Sequence, residues 1–211
     1  MTRVILLRHG QTPLNSVRRL SGHFDAPLSE LGETQAKYAC EYLIENEKID
    51  VIVSSDLQRA VNTARAAADF FGLTIQTDTE LREIDTGDWD GKYESELDEK
   101  YFELRQKIAP HDSDVPFPNG ESHKQLNERI RRAFLRVVSE NEEKTILFSL
   151  HQGAVRAIIR FVKELGADID AVPNVYNASL HVLLFDGKKW SPEALEIIPY
   201  PEKYLVKPGK I

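Results

Sequence analysis

Cysteine is nearly missing from this 211-residue chain, which holds only Cys40. A single thiol excludes an internal disulfide and any multi-cysteine metal site. Cationic excess is missing too: 27 Lys and Arg stand against 34 Asp and Glu, a formal charge of −7. General nucleic-acid binding needs a cationic face that releases counterions, so no nucleic-acid partner is expected. No apolar run approaches the length of a membrane span, so no membrane partner is expected either. Met1-Thr2-Arg3-Val4 runs straight into a β-rich segment without the small-residue cleavage site of a secretory signal, which makes the cytoplasm the expected location. The strings G-x-S-x-G, H-E-x-x-H and the P-loop are absent, so serine-hydrolase, zinc-protease and nucleotide-triphosphatase chemistry have no support. Cys40 is followed six positions on by Asn46, so the Cys-x₅-Arg loop of cysteine phosphatases is absent as well. Cys40 is expected to pack as a small hydrophobe.

What is present fits one globular unit over residues 1–211, with 41% apolar and 29% charged residues. "RVILLR" at 3–8, "DVIVSS" at 50–55, "TILFSL" at 145–150 and "SLHVLLF" at 179–185 read as short strands. Helices are expected at 29–46 with Ser29 as N-cap, from a Ser55/Gln58 capping box through Phe71, at 93–108, at 122–140 behind a Ser122/Gln125 capping box, and at 153–165. Strands alternating with helices imply an α/β fold: a three-layer, open, mainly parallel sheet with helices on both faces.

Ligands of such sheets sit beyond the carboxyl ends of the strands. His9 follows the first strand, Arg59 opens the helix after "VIVSS", and His151 follows "TILFSL", so three cationic or titratable groups meet at one edge. The helix after His151 starts without a Ser, Thr, Asp or Asn cap, and its unpaired N–H groups suit an anion. "ELREIDTGDWDG" at 80–91 adds Glu83 and an acidic, glycine-bracketed loop. A carboxyl group held beside a phosphate is protonated more easily and can serve as acid and then base.

Arg8-His9-Gly10, Asn15, "SGHFDAPLSELG" at 21–32, "SSDLQRAVNTA" at 54–64, "LREIDTGDWDG" at 81–91, "PNGES" at 118–122 and "SLHQG" at 149–153 together resemble the histidine phosphatase superfamily, the phosphoglycerate-mutase-like proteins. The resemblance implies a phosphatase that uses no metal and no cofactor and takes a small-molecule phosphomonoester. It makes His9 the nucleophile that becomes a phosphohistidine and Glu83 the proton donor and later base. Arg8 and Arg59 become the phosphate clamp, suited by their planar donors. His151 becomes the second pocket histidine, and Asn15 and Gln152 polar contacts on the phosphate side. Gln11 stands where relatives often carry Glu, and Gln152 where Gly is common, so both bear on substrate preference. Family members are often dimers, which makes a homodimer the oligomer to look for.

Two other functions fit the same residues: a cofactor-dependent phosphoglycerate mutase, and a phosphate-binding module without catalysis. Ordinary structural roles compete residue by residue. Glu83 could join a surface ion-pair network with Arg82 and Asp85, and His23 and Asp25 could serve a turn as readily as border a substrate. Gly10 is expected to let the chain turn closely beneath the ligand. His111, His123 and His181 read as loop, helix-surface and strand residues without a role.

Overall fold

The computed structural model describes residues 1–165 and 172–206. Of the single unit expected over residues 1–211, residues 166–171 and 207–211 therefore lie outside the described ones. Strands β1 (Thr2–Arg8), β2 (Val51–Ser54), β3 (Ile75–Thr77), β4 (Thr145–Leu150), β5 (Leu180–Phe185) and β6 (Trp190–Ile197) form one sheet in the order β3-β2-β4-β1-β5-β6. β3, β2, β4 and β1 run parallel to one another, while β5 runs antiparallel to β1 and β6 antiparallel to β5. The mainly parallel α/β sheet is present, with an antiparallel pair on one edge. The helices are α1 (Pro13–Ser16), α2 (Glu30–Asn46), α3 (Gln58–Phe71), α4 (Glu94–Lys100), α5 (Phe102–Ile108), α6 (His123–Glu140) and α7 (Gln152–Val162).

Period-2 alternation in the strands separates the two cores. Val4, Leu6, Val53, Ile146 and Phe148 pack with Ile130 and Phe134 of α6 and Val155 and Ile158 of α7. Ile5, Leu7, Ile52 and Leu147 face the other way, onto Ala39 and Leu43 of α2 and Ala64 and Ala67 of α3. Helices on both faces thus follow from alternate residues of the same strands. Each large side chain buried in this way contributes about 1.5–3 kcal/mol.

Local signals set several boundaries. Ser29 caps α2 by accepting from Gly32 N–H, and Ser122 with Gln125 forms the expected capping box on α6. The expected Ser55/Gln58 box does not form. Leu57 is the N-cap of α3, and Asp25, from a loop far away in sequence, accepts the Gln58 N–H at 2.8 Å. The single helix expected at 93–108 is two, broken at Tyr101 with φ −126°, where the ring packs against Trp89 at 5.3 Å. β3 and β6 were not expected, because their largely solvent-facing sequences carry little apolar alternation. Their pairing with β2 and β5 makes them strands. No helix among the described residues is long and apolar enough to cross a membrane.

Candidate active site

β1 and β4 lie side by side with Arg8 opposite Leu150, so His9 and His151, each one residue further on, leave the same sheet edge together. Their rings meet edge to face with centroids 5.2 Å apart. His9 Nδ1 lies 2.7 Å from Gly10 O. A carbonyl can only accept, so Nδ1 carries the proton and Nε2 keeps its lone pair. Burial holds the His9 imidazole well below its ordinary pKa, with Arg59 and Arg8 pushing the same way. His151 is fully buried and likewise held low by burial, then by Arg59, His9 and Arg8. Neither of its ring nitrogens has a hydrogen-bond partner. Gly10 serves packing and not the ligand: a Cβ there would lie 2.3 Å from Gly32 O, where α2 crosses the chain.

Two guanidinium groups flank His9. Arg8 donates from Nη1 to Val175 O at 2.6 Å, and burial lowers it to about 10, still fully charged near neutrality. Arg59, also lowered by burial, donates to Phe24 O at 2.7 Å and to Gly22 O at 2.8 Å. The same guanidinium therefore ties down the loop at 21–26. Asp90 holds that loop from the other side, accepting from the N–H groups of His23 and Phe24. The Nε atoms of Arg8 and Arg59 are buried without partners. Asp25, in this loop, is the cap of α3 already described.

Glu83 is 5% exposed and makes no ion pair among the described residues, while Arg82 beside it pairs with Asp56. The surface-network alternative for Glu83 therefore fails. Its Oε1 accepts from Ile84 N–H at 2.9 Å and its Oε2 from Gly153 N–H at 3.0 Å. The uncapped start of α7 is thus occupied by this carboxylate, which corrects the expectation that a ligand anion would sit there. A Cβ at position 153 would lie 2.3 Å from Glu83 Oε1, so any larger residue would push this carboxylate out of place. The backbone is held as firmly. His23 Nε2–H donates to Glu83 O at 2.9 Å, and Arg129 of α6 donates to the carbonyls of Glu80, Arg82 and Glu83 while pairing with Glu121.

Arg8, His9, Asn15, Arg59, Glu83 and Gln152 all line one cavity of about 210 Å³, while His151 stands behind His9, outside the lining. The Oδ1 of Asn15 caps its own turn, accepting from Thr12 N–H at 3.1 Å, which leaves the amide nitrogen for a ligand. Asn177, overlooked in the sequence, also lines the cavity and donates to His9 O at 3.1 Å. Arg18, Arg19, Ser21 and Glu94 of the rim were overlooked as well. Gln11 is a strut and not a lining residue, its Oε1 accepting from Ser29 Oγ at 2.9 Å. His123 is buried and packs against His111, so it is no helix-surface residue. Cys40 is buried, as expected. An imidazole lone pair, an anion clamp and a carboxyl group able to carry a proton thus share one small space.

Comparison with known proteins adds to this geometry. A family model described as histidine phosphatase superfamily (branch 1) matches residues 4–198. Phosphoglycerate mutase-like protein 4 of Arabidopsis thaliana is 32% identical over 191 residues, covering 89% of this chain and 82% of the relative. A probable phosphoglycerate mutase of Yersinia pestis is 30% identical over 190 residues, 90% of this chain and 88% of the relative. Among solved structures, mycobacterial glucosyl-3-phosphoglycerate phosphatase in complex with VO3 superposes with a TM-score of 0.80 at 32% identity, covering 92% of this chain and 98% of that one. Some mycobacterial relatives are longer, and this chain spans 46% of their length.

Proposed function

Because the chain belongs to the histidine phosphatase superfamily, branch 1, we propose that it hydrolyses a phosphomonoester through a phosphohistidine at His9. The observation that carries this reading is the His9 tautomer: Nδ1–H is held by Gly10 O, so Nε2 is the nitrogen left to react, in a cavity that Glu83 also lines. In the first step Nε2 attacks phosphorus in line, the bond from phosphorus to the leaving oxygen breaks, and protonated Glu83 gives that oxygen its proton. In the second, water attacks the phosphohistidine and gives a proton to Glu83. The phosphorus–nitrogen bond breaks, its electron pair returns to Nε2, and inorganic phosphate departs. Arg8 and Arg59 stabilise the negative charge on the equatorial oxygens, His151 supports the His9 ring from the side away from the cavity, and Asn15 and Gln152 complete the polar wall. The names of related phosphatases support a phosphoric monoester hydrolase.

With p-nitrophenyl phosphate, His9→Ala is expected to abolish turnover, and Glu83→Gln to lower kcat by about 10²–10⁴-fold. Quenching wild type in alkaline detergent during turnover of a ³²P-labelled ester should trap acid-labile, base-stable label that His9→Ala lacks. EDTA should leave the rate unchanged, and loss of activity on chelation would refute the mechanism. Interconversion of 2- and 3-phosphoglycerate without phosphate release would assign the mutase reaction instead.

A further inference from the structure

The carbonyl that fixes the proton of His9 is itself held in place. Gly10 O belongs to the peptide unit joining Gly10 to Gln11, and in a trans peptide the C=O and the N–H point in opposite directions within one plane. No peptide bond among the described residues is cis. Gln11 N–H donates to Gln35 Oε1 at 2.9 Å, so Gly10 O is turned the other way, to lie 2.7 Å from His9 Nδ1. Gln35 belongs to α2 and is fully buried, and its Nε2 donates to Tyr204 O at 2.8 Å. An N–H can meet only the amide oxygen and a carbonyl only the amide nitrogen, so both partners demand the same orientation of the side-chain amide.

The close approach of α2 makes this contact possible. Gly32 presses on the same stretch of chain, where a Cβ would lie 2.0 Å from Gln11 O. Gln35 follows one turn later on the same face of the helix, with a side chain long enough to reach the peptide. The preceding peptide is pinned too: Asn177 Nδ2 and Ala178 N–H donate to His9 O, and Thr63 Oγ1 accepts from Gly10 N–H at 3.0 Å. Both peptide planes that flank Gly10 therefore carry a hydrogen bond at each end. Resting on the phosphatase reading above, we propose that Gln35 is a positioning residue for the phosphoryl transfer, which aims Gly10 O at His9 and so keeps Nδ1 protonated and Nε2 bare. The carbonyl has a second effect. As Nε2 bonds to phosphorus the ring gains positive charge, and the hydrogen bond from Nδ1 to Gly10 O becomes charge-assisted. Holding the carbonyl thus stabilises the transition state more than the bound substrate, and its loss falls on kcat and not on KM.

Gln35→Met keeps the length of the side chain and removes the acceptor. With p-nitrophenyl phosphate its kcat per folded chain is expected to fall by roughly 10–10²-fold, with KM within about twofold of wild type. In Gln35→Glu, burial favours the neutral carboxyl, which accepts from Gln11 N–H with one oxygen and donates to Tyr204 O with the other, so most of the lost turnover should return. Long-range ¹H–¹⁵N spectra of protein labelled at histidine, with the His9 signals identified by their absence in His9→Ala, read the tautomer. Wild type and Gln35→Glu should show a protonated Nδ1 and a bare Nε2, and Gln35→Met a mixture of the two tautomers. Should Gln35→Met fail to fold, Gln35→Asn, polar but one methylene too short to reach Gln11 N–H, is expected to give the same loss and the same mixture. A merely structural role would lower the folded fraction and leave the tautomer and kcat of the folded chains as in wild type. That result, a Gln35→Glu variant as slow as Gln35→Met, or a wild-type His9 with a bare Nδ1 would overturn the proposal. Turnover by wild type and its loss in His9→Ala report on the phosphatase reading separately.

Discussion

At the scale of single residues, the site rests on groups that never touch a substrate. Glu83 is placed by Gly153 N–H, Ile84 N–H, His23 and Arg129, and the first of these is available only because position 153 has no side chain. Gly153→Ala should displace the carboxylate and lower kcat by on the order of 10²-fold, the expected penalty for an ångström of misplacement, with KM little changed. Steady-state kinetics with an aryl phosphate would measure it, and an unchanged kcat would show that Glu83 tolerates the shift. The residues that resemblance singled out, Arg8, His9, Arg59 and Glu83, were legible because each sits in a short contiguous motif. Arg129, Asn177 and Asp25 were not, because their partners lie far away in sequence and nothing local marks them. Gln11 shows the reverse error. Adjacency to Gly10 suggested a role in substrate choice, but its side chain turns inward to Ser29.

Elements were legible wherever their signal was local. Ser29 and the Ser122/Gln125 box announced α2 and α6, and the period-2 apolar runs announced β1, β2, β4 and β5. Where the determinant is tertiary, the sequence misled: α3 takes its cap from Asp25, and β6 exists through its pairing with β5. Asp25→Ala is therefore expected to lower the unfolding free energy by about 1 kcal/mol, the usual value of an N-cap, in urea titrations. It should also raise KM, because the capped turn carries Arg59 and Asp25 itself belongs to the loop that Arg59 holds. A stability loss with no change in KM would mean that the helix start and the clamp are independent.

Across the whole molecule, buried neutral histidines tie stability to pH. Burial lowers His111 to about 4, His123 to about 3 and His181 to about 4, and His181 Nδ1 accepts the Glu196 N–H, which an imidazolium could not do. Unfolded histidines bind protons near 6.5, so below that pH the unfolded chain holds more protons than the native one, and stability falls as pH drops from 6.5 towards 4. Each such group contributes about 1.4 kcal/mol per pH unit through that window. Denaturant titrations from pH 7 to 4 should show the slope, and His123→Leu should make it shallower by close to one proton; an identical slope would exclude His123 as a source. The sheet order has a consequence for biosynthesis. β1 is the first strand made, yet it lies at the sheet's centre between β4 and β5, which begin at Thr145 and Leu180. At roughly 5–20 residues per second, about 10–30 s separate translation of β1 from that of its second partner. Until β4 is made both edges of this apolar strand are open, and until β5 is made one still is, which gives β1 reason to need a chaperone.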